Sequence, residues 1–95
     1  MSVYMIVYLE SINVQGELNE YRRIGVPALL ASKAKILVRN GKFEVLEGAA
    51  PESVVMLEFP TWEDAKTWYD SPTYQEALQH RFKGAKCRAV LVQGV

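Results

Sequence analysis

Cysteine, histidine and any surplus of charge are what this chain has least of. Its 95 residues include one cysteine, Cys87, and one histidine, His80. A lone thiol excludes an internal disulfide and fits a reducing compartment. A lone imidazole, with no cysteine near it in sequence, leaves a zinc-type ligand set incomplete, so no metal or cofactor is expected. Eleven basic residues balance eleven acidic ones. No basic run concentrates the positive charge, so neither nucleic acid nor an anionic membrane is an expected partner. The apolar run VYMIVYL near the N-terminus is far too short to cross a bilayer. It also lacks a preceding basic region and a small-residue cleavage pattern, so it reads as a buried strand of a cytoplasmic protein. Phosphate loops, nucleophile elbows and internal repeats are absent as well.

What remains is an ordered series of short elements in a chain long enough for one domain, 1–95. Val3 to Leu9 reads as a strand covered on both faces, because it is continuously apolar and rich in β-branched and aromatic residues. Glu17 to Lys33 has helical periodicity, with Leu18, Tyr21, Gly25 and Ala28 on one stripe and Pro27 predicting a kink or break. Asn40-Gly41 between apolar runs predicts a two-residue hairpin turn, with Val38 facing Phe43 and Ile36 facing Val45. Val54 to Phe59 is a further strand, ended by Pro60. Thr61 with Asp64 caps a helix through Tyr69, and Ser71-Pro72 starts a second helical piece that ends near Gly84. Arg88 to Val92 is the last strand. This order is the βαββαβ pattern of an α+β, ferredoxin-like sandwich with an extra β-hairpin.

Helices can cover only one face of such a sheet, and the strands carry apolar residues on both. An uncovered apolar face calls for a second copy, so a homodimer packed sheet to sheet is expected. Alternation places Val3, Met5, Val7 and Leu9 with Val55, Leu57 and Phe59 beneath the helices. Tyr4, Tyr8 and Glu58 then line the opposite face, where polar tips in an apolar wall suit a small ligand.

Several side chains invite chemistry, and each also has a plain structural reading. Arg81 falls on the apolar stripe of the last helix with Tyr74, Ala77 and Leu78. It either holds an anionic ligand group, or pairs internally with Asp70 or Glu58, or reaches water along its stem. Glu58, a carboxylate within an apolar strand, is either a general base or the partner of Arg39 or Arg81. Trp68 and Tyr69 belong to a helical stripe that is either core or an aromatic pocket wall. Arg39 is a strand-end charge unless a dimer covers it. His80 points to solvent by helical position, and Ser71 is a cap rather than a nucleophile.

The segments LVRNGKFEVLEG and VVMLEFPTWEDAKTWYDSPTYQ, with Arg81 and the closing VLVQGV, resemble the DUF1330 family of small uncharacterised proteins. That family lies within the dimeric α/β-barrel superfamily. The resemblance covers essentially the whole chain. It implies a ferredoxin-like fold and a dimer whose two sheets form a barrel. The family pattern is matched at Arg39, Gly41, Glu47, Gly48 and Phe59, and again at Trp68, Tyr69, Ser71, Tyr74 and Arg81. Relatives in the superfamily include cofactor-independent monooxygenases, haem-degrading enzymes and small dehydratases or isomerases. Ile6 stands where the haem degraders would have an asparagine, which argues against haem. The resulting expectation is a small organic ligand held by Arg39, Arg81, Tyr4, Tyr8, Trp68 and Tyr74. With Glu58 as base it would undergo proton transfer or oxygenation. A non-catalytic, ligand-binding or stress-associated dimer is the alternative.

Overall fold

A computed structural model describes residues 1–95. The elements run β1 (Val3–Ile12), α1 (Gln15–Leu30), β2 (Lys35–Arg39), β3 (Ser53–Phe59), α2 (Trp62–Tyr69), α3 (Pro72–Gly84) and β4 (Ala85–Gln93). The four strands form one sheet in the order β2-β3-β1-β4, with every neighbouring pair antiparallel. This is the α+β arrangement expected, and within one chain the sheet stays open rather than closing on itself.

Local chemistry accounts for the helix boundaries. The Thr61 hydroxyl accepts the Asp64 N–H at 3.0 Å and the Ser71 hydroxyl accepts the Tyr74 N–H at 3.2 Å, so each satisfies a donor that a helix start leaves free. Pro72 occupies the first turn of α3, where its missing N–H costs nothing. Of the kink or break expected at Pro27, the break does not occur: the helix continues to Leu30, and the Ala31 N–H bonds the Pro27 carbonyl at 3.0 Å. Arg23 and Pro27 lie on the exposed side, so water can reach the one carbonyl that loses its partner.

All three helices lie on one side of the sheet, and their apolar stripes meet the aliphatic set of β1 and β3. The core is Val3, Met5, Leu57 and Phe59 from the strands against Ala65, Trp68, Tyr74 and Leu78 from α2 and α3. The alternation read from sequence therefore has the right phase. Helix α1 packs on α3 where small residues let backbones approach. A Cβ on Gly25 would meet Ala77 at 3.4 Å, and one on Gly84 would meet the Val14 carbonyl at 2.8 Å. The Gly84 carbonyl also accepts from the N–H groups of Asn13 and Val14, at 2.7 and 3.0 Å, locking the end of α3 to the start of α1.

The expected hairpin does not form. Asn40 adopts the positive φ of a turn, at 55°, but residues 41–52 form no strand. Strand β2 pairs instead with β3, with Ile36 opposite Leu57 and Arg39 opposite Val55. An added arm of residues 42–45 would have been a short exposed edge strand. The segment turns over the other face of the sheet, where Phe43 and Val45 line a hollow together with Tyr8 and Val54. Apart from this segment that face is bare. The backbone measures 34 × 34 × 16 Å, and the smallest extent is the thickness of one sheet and one helix layer, with no second layer of elements on the far side.

Candidate functional site

Arg81 is the unusual residue of the helix layer. It is 5% exposed, yet no carboxylate meets it. Of the internal partners expected, Asp70 pairs with Lys66 at 3.5 Å and Glu58 lies on the opposite face of the sheet. The guanidinium instead donates from Nη1 to the Tyr74 hydroxyl at 3.3 Å, and its Cζ stands 5.4 Å from the centre of the Tyr21 ring. The Tyr74 and Tyr21 hydroxyls share a hydrogen bond of 2.8 Å, so α1 and α3 contribute to one polar chain. Nε of Arg81 has no partner, and neither does Nε1 of Trp68, whose residue is 6% exposed. Buried polar groups are nearly always satisfied, and these two unpaired donors belong to side chains that both touch Tyr74.

The electrostatics are consistent with a fixed cation. Burial pulls the Arg81 pKa down, but the facing oxygens of Tyr74 and Tyr21 outweigh it and leave the group above its ordinary value. Burial, with the neighbouring Tyr21, pushes the Tyr74 phenol well up despite Arg81, so it remains an O–H donor. Burial also raises the Cys87 thiol, against the pull of Arg81. At neutral pH Arg81 is therefore a guanidinium, while Tyr74 and Cys87 keep their protons.

Aromatic rings connect this cluster to a groove. The Trp68 and Tyr74 centroids are 4.2 Å apart, and Tyr69 lies 5.5 Å from Tyr74. Tyr69 in turn lines a groove of about 220 Å³ between α2 and β4, with Met5, Trp62, Lys66, Ala89 and Leu91. Its wall is apolar apart from Lys66, which sits 5.8 Å from the Tyr69 ring centre.

The remaining site residues read from sequence fall elsewhere. Tyr4, Tyr8 and Glu58 do share the bare face: Tyr4 is opposite Glu58 and Val92, while Tyr8 is opposite Val54 and Arg88. Tyr8 alone of the three borders the larger cavity there, about 730 Å³ beneath the segment 43–51. Its polar floor is Glu10, which takes Arg88 Nε at 2.7 Å and Lys86 Nζ at 3.7 Å, with the Arg88 guanidinium 5.0 Å from the Tyr8 ring centre. Arg39 is exposed at the end of β2, in register with Val55, and borders neither hollow. The structure thus separates what the sequence reading had gathered into one site: Arg81, Trp68 and Tyr74 on the helix side, Glu58, Tyr4 and Tyr8 on the other.

Two contacts between α1 and α3 run through Tyr21 and His80, and the second corrects the expectation for His80. Tyr21 was visible on the stripe of α1, and a phenol on a buried stripe needs a partner; that signal could have found it. His80 is not turned to solvent. Its Nδ1 lies 2.6 Å from Glu17 Oε2, in a half-buried bridge between α3 and α1. No three His, Cys, Asp or Glu side chains converge anywhere as a metal site would require.

The chain belongs to the DUF1330 family, a domain of unknown function whose pattern matches residues 2–95. A comparison with curated proteins gives no match. Among solved structures it is similar to a protein of unknown function from Rhodopseudomonas palustris, at 19% identity and a TM-score of 0.79, covering 99% of this chain and 82% of the other. It is also similar to a dimeric, ferredoxin-like protein of unknown function from Bacteroides fragilis (17% identity, TM-score 0.64, 98% and 96% covered). A third is SnoaB, a cofactor-independent oxygenase from Streptomyces nogalater (6% identity, TM-score 0.62, 99% and 93% covered). These likenesses establish the ferredoxin-like fold.

Proposed function

We propose that the protein is a homodimer that binds a small, partly aromatic organic anion on the helix side of each sheet. The observation that carries this reading is Arg81: a buried guanidinium with no carboxylate, a free Nε–H, and a second free donor on Trp68. An anion placed there would satisfy donors that the chain leaves open, and the surrounding rings suit a flat ligand. The adjoining groove, at about 220 Å³, has room for a single substituted ring. Tyr69 belongs to both, lining the groove and lying 5.5 Å from the Tyr74 ring that meets Arg81. The bare sheet face, with Tyr4, Ile6, Val90 and Val92, supports the dimer, as does the dimeric state named for the Bacteroides fragilis protein.

A second reading is cofactor-free chemistry on a substrate that arrives already ionised. It is supported by Tyr74, a hydrogen-bond donor that burial keeps protonated beside a fixed cation. Glu58 as base for such a ligand is disfavoured, because the sheet stands between it and Arg81.

Benzoate and its neutral counterpart benzamide separate charge from shape. Benzoate is expected to raise the melting temperature of the wild type and benzamide to do so far less. Arg81→Met, which keeps the apolar stem, should lose at least about tenfold in benzoate affinity by calorimetry. Equal affinity in a folded Arg81→Met protein would sink the reading.

A further inference from the structure

The hollow beneath the segment 43–51 is a second place where this chain gathers polar chemistry, across the sheet from Arg81. At about 730 Å³ it falls within the range of small-molecule pockets. Phe43, Val45, Pro51 and Val54 give it an apolar wall. Five charged side chains border it: Glu10, Glu44 and Glu47 against Lys86 and Arg88. The apolar stretch offered to a second copy, through Tyr4, Ile6, Val90 and Val92, lies further along the same strands.

Three of the charged groups hold one another. Glu10 accepts from Arg88 Nε at 2.7 Å and lies 3.7 Å from Lys86 Nζ, while the Arg88 guanidinium stands 5.0 Å from the Tyr8 ring centre. Arg88 is thus fixed at one edge and on one face, and its Nη1 and Nη2 have no partner in the chain. A guanidinium held this way presents a pair of donors suited to a carboxylate.

Glu44 and Glu47 make no ion pair. They sit on a strap that is fastened only at its ends. The Asn40 N–H bonds the Val54 carbonyl at 3.2 Å and the Glu52 N–H bonds the Leu9 carbonyl at 2.7 Å, with no backbone hydrogen bond from residues 41–51 between them. Exposed backbone with so few bonds moves at little cost. An anion alone would answer Arg88 but meet two unpaired carboxylates. A cation alone would answer those carboxylates but meet Lys86 and Arg88. A ligand with both charges satisfies both sets.

We propose that this hollow binds a zwitterionic α-amino acid with an aliphatic side chain. The ligand carboxylate lies on the Nη edge of Arg88, its side chain packs on Phe43, Val45 and Val54, and the strap brings Glu44 and Glu47 onto its ammonium. The site is separate from the anion site proposed at Arg81, and neither depends on the other.

Leucine is the probe, with N-acetyl-leucine lacking its cation and leucinamide lacking its anion. Calorimetry should show saturable leucine binding, with both blocked forms at least about tenfold weaker. Arg88→Gln, and the double variant Glu44→Gln with Glu47→Gln, should each weaken leucine at least about tenfold. A folded Arg81→Met protein should bind leucine as the wild type does. Arg88, Glu44 and Glu47 are all exposed, and circular dichroism confirms that their variants fold. No leucine binding, equal binding of either blocked form, or undiminished binding by either of these variants would overturn the proposal. Loss of leucine in Arg81→Met with Arg88→Gln unaffected would overturn it too, by moving the ligand to the helix side.

Discussion

The hydroxyl of Tyr21 on α1 lies 2.8 Å from the hydroxyl of Tyr74 on α3, and Tyr74 in turn accepts from the buried Arg81. Two helices are thus joined through phenols at the point where the chain hides a positive charge. Tyr74→Phe removes the one protein acceptor of that guanidinium, and leaving a buried charged donor unmet costs about 1–3 kcal/mol. Tyr21→Phe removes one neutral partner and should cost less, about 0.5–1.5 kcal/mol. Urea denaturation of the two variants should show this order; an equal or reversed order would mean that Arg81 does not depend on Tyr74.

Alkaline pH should loosen the same region. Burial raises Tyr74 above its ordinary 10.0 and Cys87 above its ordinary 9.0. Both groups are neutral when protonated, so above these values the unfolded chain releases protons that the folded chain keeps. Their contribution to stability is present in full below pH 9 and is lost as pH rises beyond 9 and 10. Denaturation midpoints measured from pH 8 to 11 should fall, and the fall should be shallower in Tyr74→Phe. A midpoint that stays flat to pH 11 would count against the burial of both groups.

Glycine is required where α3 ends. A methyl at Gly84 would stand 2.7 Å from Glu17 Cβ and 2.8 Å from the Val14 carbonyl, so Gly84→Ala must push α1 away from α3. Overpacking of this kind costs about 1–3 kcal/mol. Gly16 is the control. A Cβ there meets nothing within 4 Å, and Gly16→Ala should gain about 0.4–1 kcal/mol from a stiffer unfolded chain. Thermal melts of the two alanine variants should therefore move in opposite directions.

How far the fold could be read from sequence follows from the range of the forces involved. The caps at Thr61 and Ser71 act over three residues and were readable, as was the alternation that put Val3 and Met5 under the helices and Tyr4 beyond them. The hairpin at Asn40 was misread because a turn signal does not say whether the returning arm follows the strand edge or folds over the sheet. Phe43 and Val45 took the second course. Which partners meet between α1 and α3 was out of reach, since Tyr21 and Tyr74 are 53 positions apart and Glu17 and His80 are 63. Their meeting depends on how closely α1 crosses α3, which small residues at Gly25, Ala77 and Gly84 permit but no local pattern announces. For the same reason Glu58 and Arg81 looked like members of one site until the sheet was placed between them.

The central claim is that Arg81 and Trp68 hold their free N–H groups for a bound anion. The most direct measurement is the nitrogen–proton NMR signals of Arg81 Nε and Trp68 Nε1 during a titration with benzoate, assigned by comparison with Arg81→Met and Trp68→Phe. Both signals should shift saturably and with one binding constant, and benzamide should leave the Arg81 signal in place. Saturable benzoate binding that moves neither signal, or no binding at all, would contradict the account.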